Sequence, residues 1–276
     1  MRKLPDRFKN ILIPAGGALA VCLILLLFLP RAGAAGHSDS QAVTEGVNYL
    51  RALESEDPET VENILKEYRQ AEIDARREEM IGEILEGDVD VWSLFEDYAI
   101  LGDSRAVGFY YYDFLPHERV LAGGGETIRN IEDHMEDLQA LNPSSIFLCF
   151  GLNDTSIGYW DTPEEYAEEY LETLEWMHEE LPDTTVYVSS ILPAHDPAFE
   201  RSSKWYNIPD FSAAVGEMCE ENGIPFVDND EIADEYYDLW DPDGIHLRKS
   251  FYQYWGANLM ISFYEHQGVF DPEAEA

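Results

Sequence analysis

The chain has 276 residues, with 17 basic against 56 acidic side chains and a formal net charge of −39. That balance excludes a phosphate-backbone binder, which needs a basic patch, and it sets the surface against anionic lipid headgroups. A hydrophobic content of 45% and an aromatic content of 13% are too high for a disordered acidic chain, and three cysteines make neither a disulfide scaffold nor a four-cysteine zinc site.

Residues 1–10 carry Arg2, Lys3, Arg7 and Lys9 against one acid, Asp6, and residues 11–29 carry no charge. An apolar run of that length spans a bilayer core as a helix, with its basic flank held in the cytoplasm. Residues 1–10 therefore read as a cytoplasmic basic segment. Residues 11–30 read as a transmembrane anchor or as a signal peptide, for which Ala32-Gly33-Ala34 offers a small-x-small cleavage site. The length favours the anchor, with the rest of the chain extracytoplasmic; cleavage would leave a secreted protein. Cys22 lies inside the run and reads as a buried membrane cysteine.

Residues 31–95 read as a linker followed by an acidic helical stalk, which either holds the rest of the chain off the membrane or packs against it as an arm. Asp57-Pro58-Glu59 is a helix start, with an Asp cap and Pro in the first turn. Val61, Ile64, Leu65 and Tyr68, then Ile81, Ile84 and Leu85, keep helical spacing up to Gly87-Asp88. No residue of this stretch points to chemistry.

Residues 96–268 alternate between two textures, and 269–276 form an acidic tail. Short apolar runs at 98–101, 119–122, 145–150, 185–191 and 225–227 predict strands. Amphipathic stretches at 127–141, 163–181, 210–222 and 250–266 predict helices. Such alternation predicts a parallel sheet covered on both faces, with ligands bound beyond the carboxyl ends of its strands.

Polar clusters fall at those ends. Gly102-Asp103-Ser104-Arg105 follows the first strand and exposes a hydroxyl near the start of a helix, whose dipole favours developing negative charge. Gly123-Gly124-Gly125-Glu126-Thr127 follows the second, where glycines let backbone N–H groups approach a ligand. No Gly-Lys-Ser/Thr follows, which disfavours a phosphate loop. Gly151-Leu152-Asn153-Asp154 follows the third and brings an amide donor. Asp241-Pro242-Asp243-Gly244-Ile245-His246-Leu247 comes after the fifth, with Asp and His three apart. Each cluster alone has an ordinary reading as a turn or a helix cap. Together they supply what acyl transfer needs: a nucleophile, a base, an acid to orient it and oxyanion donors.

These four blocks resemble the SGNH (GDSL-type) hydrolase superfamily, over roughly residues 98–256. The resemblance implies a flavodoxin-like three-layer α/β/α sandwich with a five-stranded parallel sheet, preceded here by the membrane helix and stalk. It implies ester hydrolysis through an acyl-serine intermediate, with no cofactor and no metal. Ser104 matches the nucleophile, Asn153 the oxyanion asparagine, and Asp243 and His246 the Asp-x-x-His pair. Gly125 best matches the oxyanion glycine, with Gly124 the alternative. Arg105 departs from the pattern, standing where many members have leucine; a structural ion pair is favoured over a substrate carboxylate site. His195, just after the fourth strand, is either a substrate contact or a surface loop residue. Aromatic side chains at Tyr110 to Tyr112, Tyr159-Trp160, Trp205-Tyr206 and Tyr236-Tyr237 fall in or near the loops of that edge, as a substrate platform or as loop packing. In the family's strand order Cys149 and Cys219 are separated by the fourth strand, so both are expected as buried free thiols.

The expected function is a membrane-anchored, extracytoplasmic serine esterase. Its expected partners are a small-molecule or glycan ester, with removal of O-acetyl groups from a cell-wall or extracellular polysaccharide as the leading reaction, and the membrane through the N-terminal helix. A lipase or lysophospholipase, an acyltransferase and a non-catalytic glycan-binding domain are the alternatives. No nucleic acid is expected, and the sequence leaves the oligomeric state open.

Overall fold

A computed structural model describes residues 58–271. The basic segment, the anchor or signal peptide, the linker, Cys22 and most of the acidic tail lie outside the described residues. Among the described residues no helix is long and apolar enough to cross a membrane.

The described residues divide between two units, 58–74 with 271 in one and 75–270 in the other. Helix α1 is Pro58–Glu86. Within the first unit its Leu65 and Tyr68 are exposed, and Arg69 forms a two-bond ion pair with Asp271.

The second unit is built on five strands: β1 (Tyr98–Gly102), β2 (Val120–Ala122), β3 (Ser145–Cys149), β4 (Thr185–Ser189) and β5 (Phe226–Val227). Their order is β2-β1-β3-β4-β5 and every pairing is parallel. Parallel strands need crossover connections, and the helices that supply them cover both faces. Between the strands lie α2 (Gly108–Tyr111), α3 (Met135–Leu141), α4 (Leu152–Ile157), α5 (Pro163–Glu180), α6 (Ala198–Arg201) and α7 (Ile208–Asn222), and after the last strand come α8 (Asp230–Glu235) and α9 (Tyr252–His266).

Side-chain alternation along the strands sorts the core into two layers. Ala99, Leu101, Ile146, Leu148 and Val188 pack with Leu138 of α3, Tyr170 and Leu174 of α5 and Val215 of α7. Phe147 and Tyr187 point the other way, 5.1 Å apart between ring centres, into an aromatic layer with Phe95 and Phe263. The three-layer α/β/α arrangement follows from these two buried faces.

The second unit starts at Ala75. Met80, Ile84, Val89, Val91, Leu94 and Phe95 are all buried, while Leu85 is exposed, so the end of this stretch packs as an arm and does not stand free as a stalk. Asp90 caps the 3-10 turn Val91–Leu94 by accepting the Trp92 N–H, and the Trp92 ring stacks on Phe114 at 4.4 Å. The helix expected at 127–141 begins as a 3-10 segment, Ile128–His134, and becomes α-helical only at α3. Cys149 and Cys219 are buried free thiols, and burial pushes each thiol up to about 12.

Phe147 is 1% exposed and sits at the centre of the aromatic layer. Phe147→Ala leaves a cavity there, and urea unfolding is expected to show a loss of about 3–5 kcal/mol.

Candidate active site

Five parallel strands place their carboxyl ends along one edge, and the polar clusters sit there. The turn after β1 holds Ser104. Gly102, which precedes it, lies so close to β3 that a Cβ would stand 2.5 Å from the Cys149 carbonyl oxygen. The glycine thus lets the two strands close together under the serine.

Ser104 Oγ lies 3.1 Å from His246 Nε2, and His246 Nδ1 lies 2.6 Å from Asp243 Oδ2. The second oxygen, Asp243 Oδ1, accepts the backbone N–H groups of Ile245 at 2.9 Å and of His246 at 3.0 Å. Burial pushes the Asp243 carboxyl up, but the N–H donors of His246 and Ile245 outweigh it and hold the group below the usual carboxylate value. An ionised Asp243 fixes the tautomer with the proton on Nδ1, so Nε2 is free to accept from the serine hydroxyl.

Gly125 and Asn153 follow the ends of β2 and β3, the two strands that flank β1. Asn153 Nδ2 donates to the Glu126 carbonyl at 2.8 Å, which orients the amide and leaves its second N–H unused. Gly125 takes a φ of +84°, in the left-handed region where a side chain is strained. Among the described residues no acceptor takes the backbone N–H of Ser104 or of Gly125. Ser104 N–H, Gly125 N–H and the Asn153 amide are therefore available to an oxyanion.

Two residues weighed as substrate contacts are placed elsewhere. Arg105 is 2% exposed, its guanidinium 3.4 Å from each carboxylate oxygen of Asp103 and 2.6 Å from the Leu192 carbonyl oxygen. A buried guanidinium with its donors so engaged is a structural ion pair and has no reach to a substrate carboxylate. His195 is neither a free surface side chain nor a substrate donor. Its ring packs edge-on to Trp240 at 4.8 Å and its Nε2 is buried without a partner. Burial holds this imidazole below the ordinary histidine value, hence neutral.

Asp154 is a functional candidate that the sequence reading passed over. It is 1% exposed and joins two of the blocks: Oδ1 accepts the Ile128 N–H at 2.9 Å and Oδ2 accepts the Gly151 N–H at 3.0 Å. Together with the Asn153–Glu126 bond, it ties the glycine segment to the asparagine segment. Gly151 adopts φ +127°, and a Cβ there would strike the Ile191 side chain at 2.4 Å. Tyr252 was also passed over; its hydroxyl donates to the Arg105 carbonyl at 2.7 Å behind the nucleophile. Asp154 stands in the quoted motif, but its role depends on burial, which the motif does not carry.

Among the described residues no cluster of His, Cys, Asp and Glu is arranged to hold a metal ion. The arrangement at the edge is of the kind that forms and breaks an acyl–oxygen bond.

Comparison with known proteins agrees. The model of the GDSL-like lipase/acylhydrolase family matches residues 100–254, more than half of the chain, and the chain belongs to that family. A lipase/acylhydrolase from Enterococcus faecalis superposes with a TM-score of 0.50 at 17% identity, over 62% of this chain and 97% of that one. That likeness extends to the fold. A GDSL-like lipase from Bacteroides thetaiotaomicron gives 0.47 at 19% identity, over 62% and 86%. The acetyl xylan esterase AlAXEase gives 0.45 at 15%, over 59% and 97%. No curated protein matches the chain in sequence.

Burial pushes Asp154 up to about 7, against the lowering effect of the N–H groups it accepts. Between about pH 4 and about pH 7 the folded state then holds a proton that the unfolded state has lost, so stability falls as pH rises, by about 1.4 kcal/mol per pH unit for one group. Denaturant unfolding at several pH values is expected to show this contribution in the wild type and to lack it in Asp154→Asn.

Proposed function

We propose that the protein is a serine esterase working through an acyl-serine intermediate. The observation that carries this is the Ser104–His246–Asp243 relay, at 3.1 Å and 2.6 Å. His246 Nε2 takes the hydroxyl proton as Ser104 Oγ bonds to the ester carbonyl carbon. Asp243 stabilises the imidazolium that forms. The carbonyl oxygen, now negative, is held by the N–H groups of Ser104 and Gly125 and by the Asn153 amide. The tetrahedral centre collapses, His246 returns the proton to the departing alkoxide, and the alcohol leaves. Water then attacks the acyl-serine with His246 again as base, which frees the acid and restores the hydroxyl. The chemistry needs no cofactor.

The proposed substrate is an O-acetylated glycan outside the cell. The uncharged segment at 11–29 behind a basic flank supports an extracytoplasmic location. A net charge of −39 disfavours anionic phospholipid surfaces. Tyr111, Tyr159, Tyr206 and Tyr237 are exposed, in segments that follow the strand ends, and aromatic side chains of this kind suit contact with a sugar. A cleft of about 780 Å³ lies beside the 3-10 segment Ile128–His134, lined by Arg129, Tyr159, Trp160, Glu169 and Trp176; none of Ser104, Gly125, Asn153, Asp243 and His246 lines it, so the aromatic loops and not this cleft carry the substrate reading.

Treatment of the full-length protein with a fluorophosphonate is expected to place one adduct on Ser104, read by mass spectrometry, and none on Ser104→Ala. Hydrolysis is expected for p-nitrophenyl acetate and not for long-chain esters; the reverse preference would indicate a lipase. Removing one oxyanion donor by Asn153→Ala is expected to lower kcat by about 10²–10³ while the fold is kept.

A further inference from the structure

The loop that leaves β4 contributes no group to the relay, yet it is bonded to both halves of it. At one end the Leu192 carbonyl accepts Arg105 Nη1 at 2.6 Å. At the other, His195 N–H donates to the Gly244 carbonyl at 2.8 Å. Arg105 is the residue after the nucleophile, and Gly244 lies between Asp243 and His246. Between the two ends, the Pro193 carbonyl accepts Trp240 Nε1 at 3.2 Å. A hydrogen-bonded path therefore runs from the serine turn, through four loop residues, to the histidine turn.

Both ends of the path are stiff. The guanidinium lies 3.4 Å from each Asp103 oxygen, and Asp103 also accepts the Arg105 N–H at 2.9 Å and the Leu152 N–H at 3.3 Å. Burial removes competing water, so these charge-assisted bonds keep most of their strength. On the far side, Gly244 takes φ +73° and presses so close that a Cβ would stand 2.1 Å from the His195 carbonyl oxygen. Gly244 N–H in turn donates to the Asp241 carbonyl at 3.0 Å, and Asp241 N–H to the His246 carbonyl at 2.8 Å. Trp240 is wedged between the His195 ring at 4.8 Å and the Phe251 ring at 4.9 Å.

We propose that Arg105 is a positioning residue that, through the loop of residues 192–195, sets the separation between Ser104 Oγ and His246 Nε2. The proposal rests on the esterase reading given above. It accounts for the buried guanidinium and for the packing of His195, two features that the chemistry itself leaves unexplained. A serine and a histidine carried on turns that lie far apart in sequence need a fixed spacer, because an error of about 1 Å in such a pair costs on the order of 10²-fold in rate.

Arg105→Lys is the informative substitution. The ammonium keeps a positive charge beside the buried Asp103 carboxylate, but it lacks the planar fork needed to hold Asp103 and reach the Leu192 carbonyl together. Gly244→Ala breaks the same path at its other end and serves if the lysine variant does not fold. Each variant would be compared with wild type in three ways: kcat/KM on p-nitrophenyl acetate, the rate of fluorophosphonate attachment to Ser104, and the Oγ–Nε2 distance in crystals. Both rates are expected to fall by about 10–100-fold, and the distance is expected to open past hydrogen-bonding range. In a His246→Ala background the same substitutions are expected to cost little more, because the path acts through that histidine. An unchanged distance, an unchanged labelling rate, or an equal loss in both backgrounds would overturn the proposal. A wild-type protein that takes no fluorophosphonate would instead count against the esterase reading, and the crystallographic distance would then decide the role of Arg105 alone.

Discussion

A parallel sheet buried on both faces imposes the constraint from which the site follows. Every strand must enter from the same side, so every strand end, with its turn and following helix, collects on one edge. Hydrophobic burial drives this, with Ala99, Leu101 and Leu148 packed into one layer and Phe147 and Tyr187 into the other. The reactive groups therefore need no close spacing in the chain. Ser104 and His246 are 142 residues apart and meet at 3.1 Å, because their turns share an edge. Glycine at the strand ends permits the approach, as at Gly102, where a Cβ would collide with β3.

Three carboxylates at this edge are treated in three ways. Asp243 is partly exposed, accepts N–H groups on both oxygens and is held below the usual value, which suits a permanent negative charge behind an imidazole. Asp103 is fully buried and carries its counter-ion in Arg105. Asp154 is buried with two backbone donors, and burial raises it to about 7. A chain of such excess negative charge thus still places individual carboxylates by the local supply of donors. Two of the three act in the chemistry only by holding other residues where they are needed.

The order of strands and helices was legible in the sequence because two faces of burial leave a direct trace: short apolar runs, separated by amphipathic stretches of helical period. Ser104, Asn153, Asp243 and His246 were legible because each sits in a short motif whose polar residues have no reason to follow a buried strand unless they are used. The packing of the segment before β1 was not. Val89, Val91, Leu94 and Phe95 carry no periodic signal, and only their packing in the aromatic layer shows that they belong to the core.

By itself, then, the sequence determined the fold class, the family and the polar residues that the fold gathers at one sheet edge, since these depend on local pattern and residue type. Tertiary structure alone decided what the remaining polar residues do. Arg105 and His195 each had two open roles, and both were settled by contacts with a loop distant in the chain: the Leu192 carbonyl for one, Gly244 and Trp240 for the other. Asp154 drew no notice until its two donors, Ile128 and Gly151, were seen to come from different strand ends. Burial and hydrogen-bond partners are properties of the packed chain, and a residue whose role is to hold other residues in place is defined only by them.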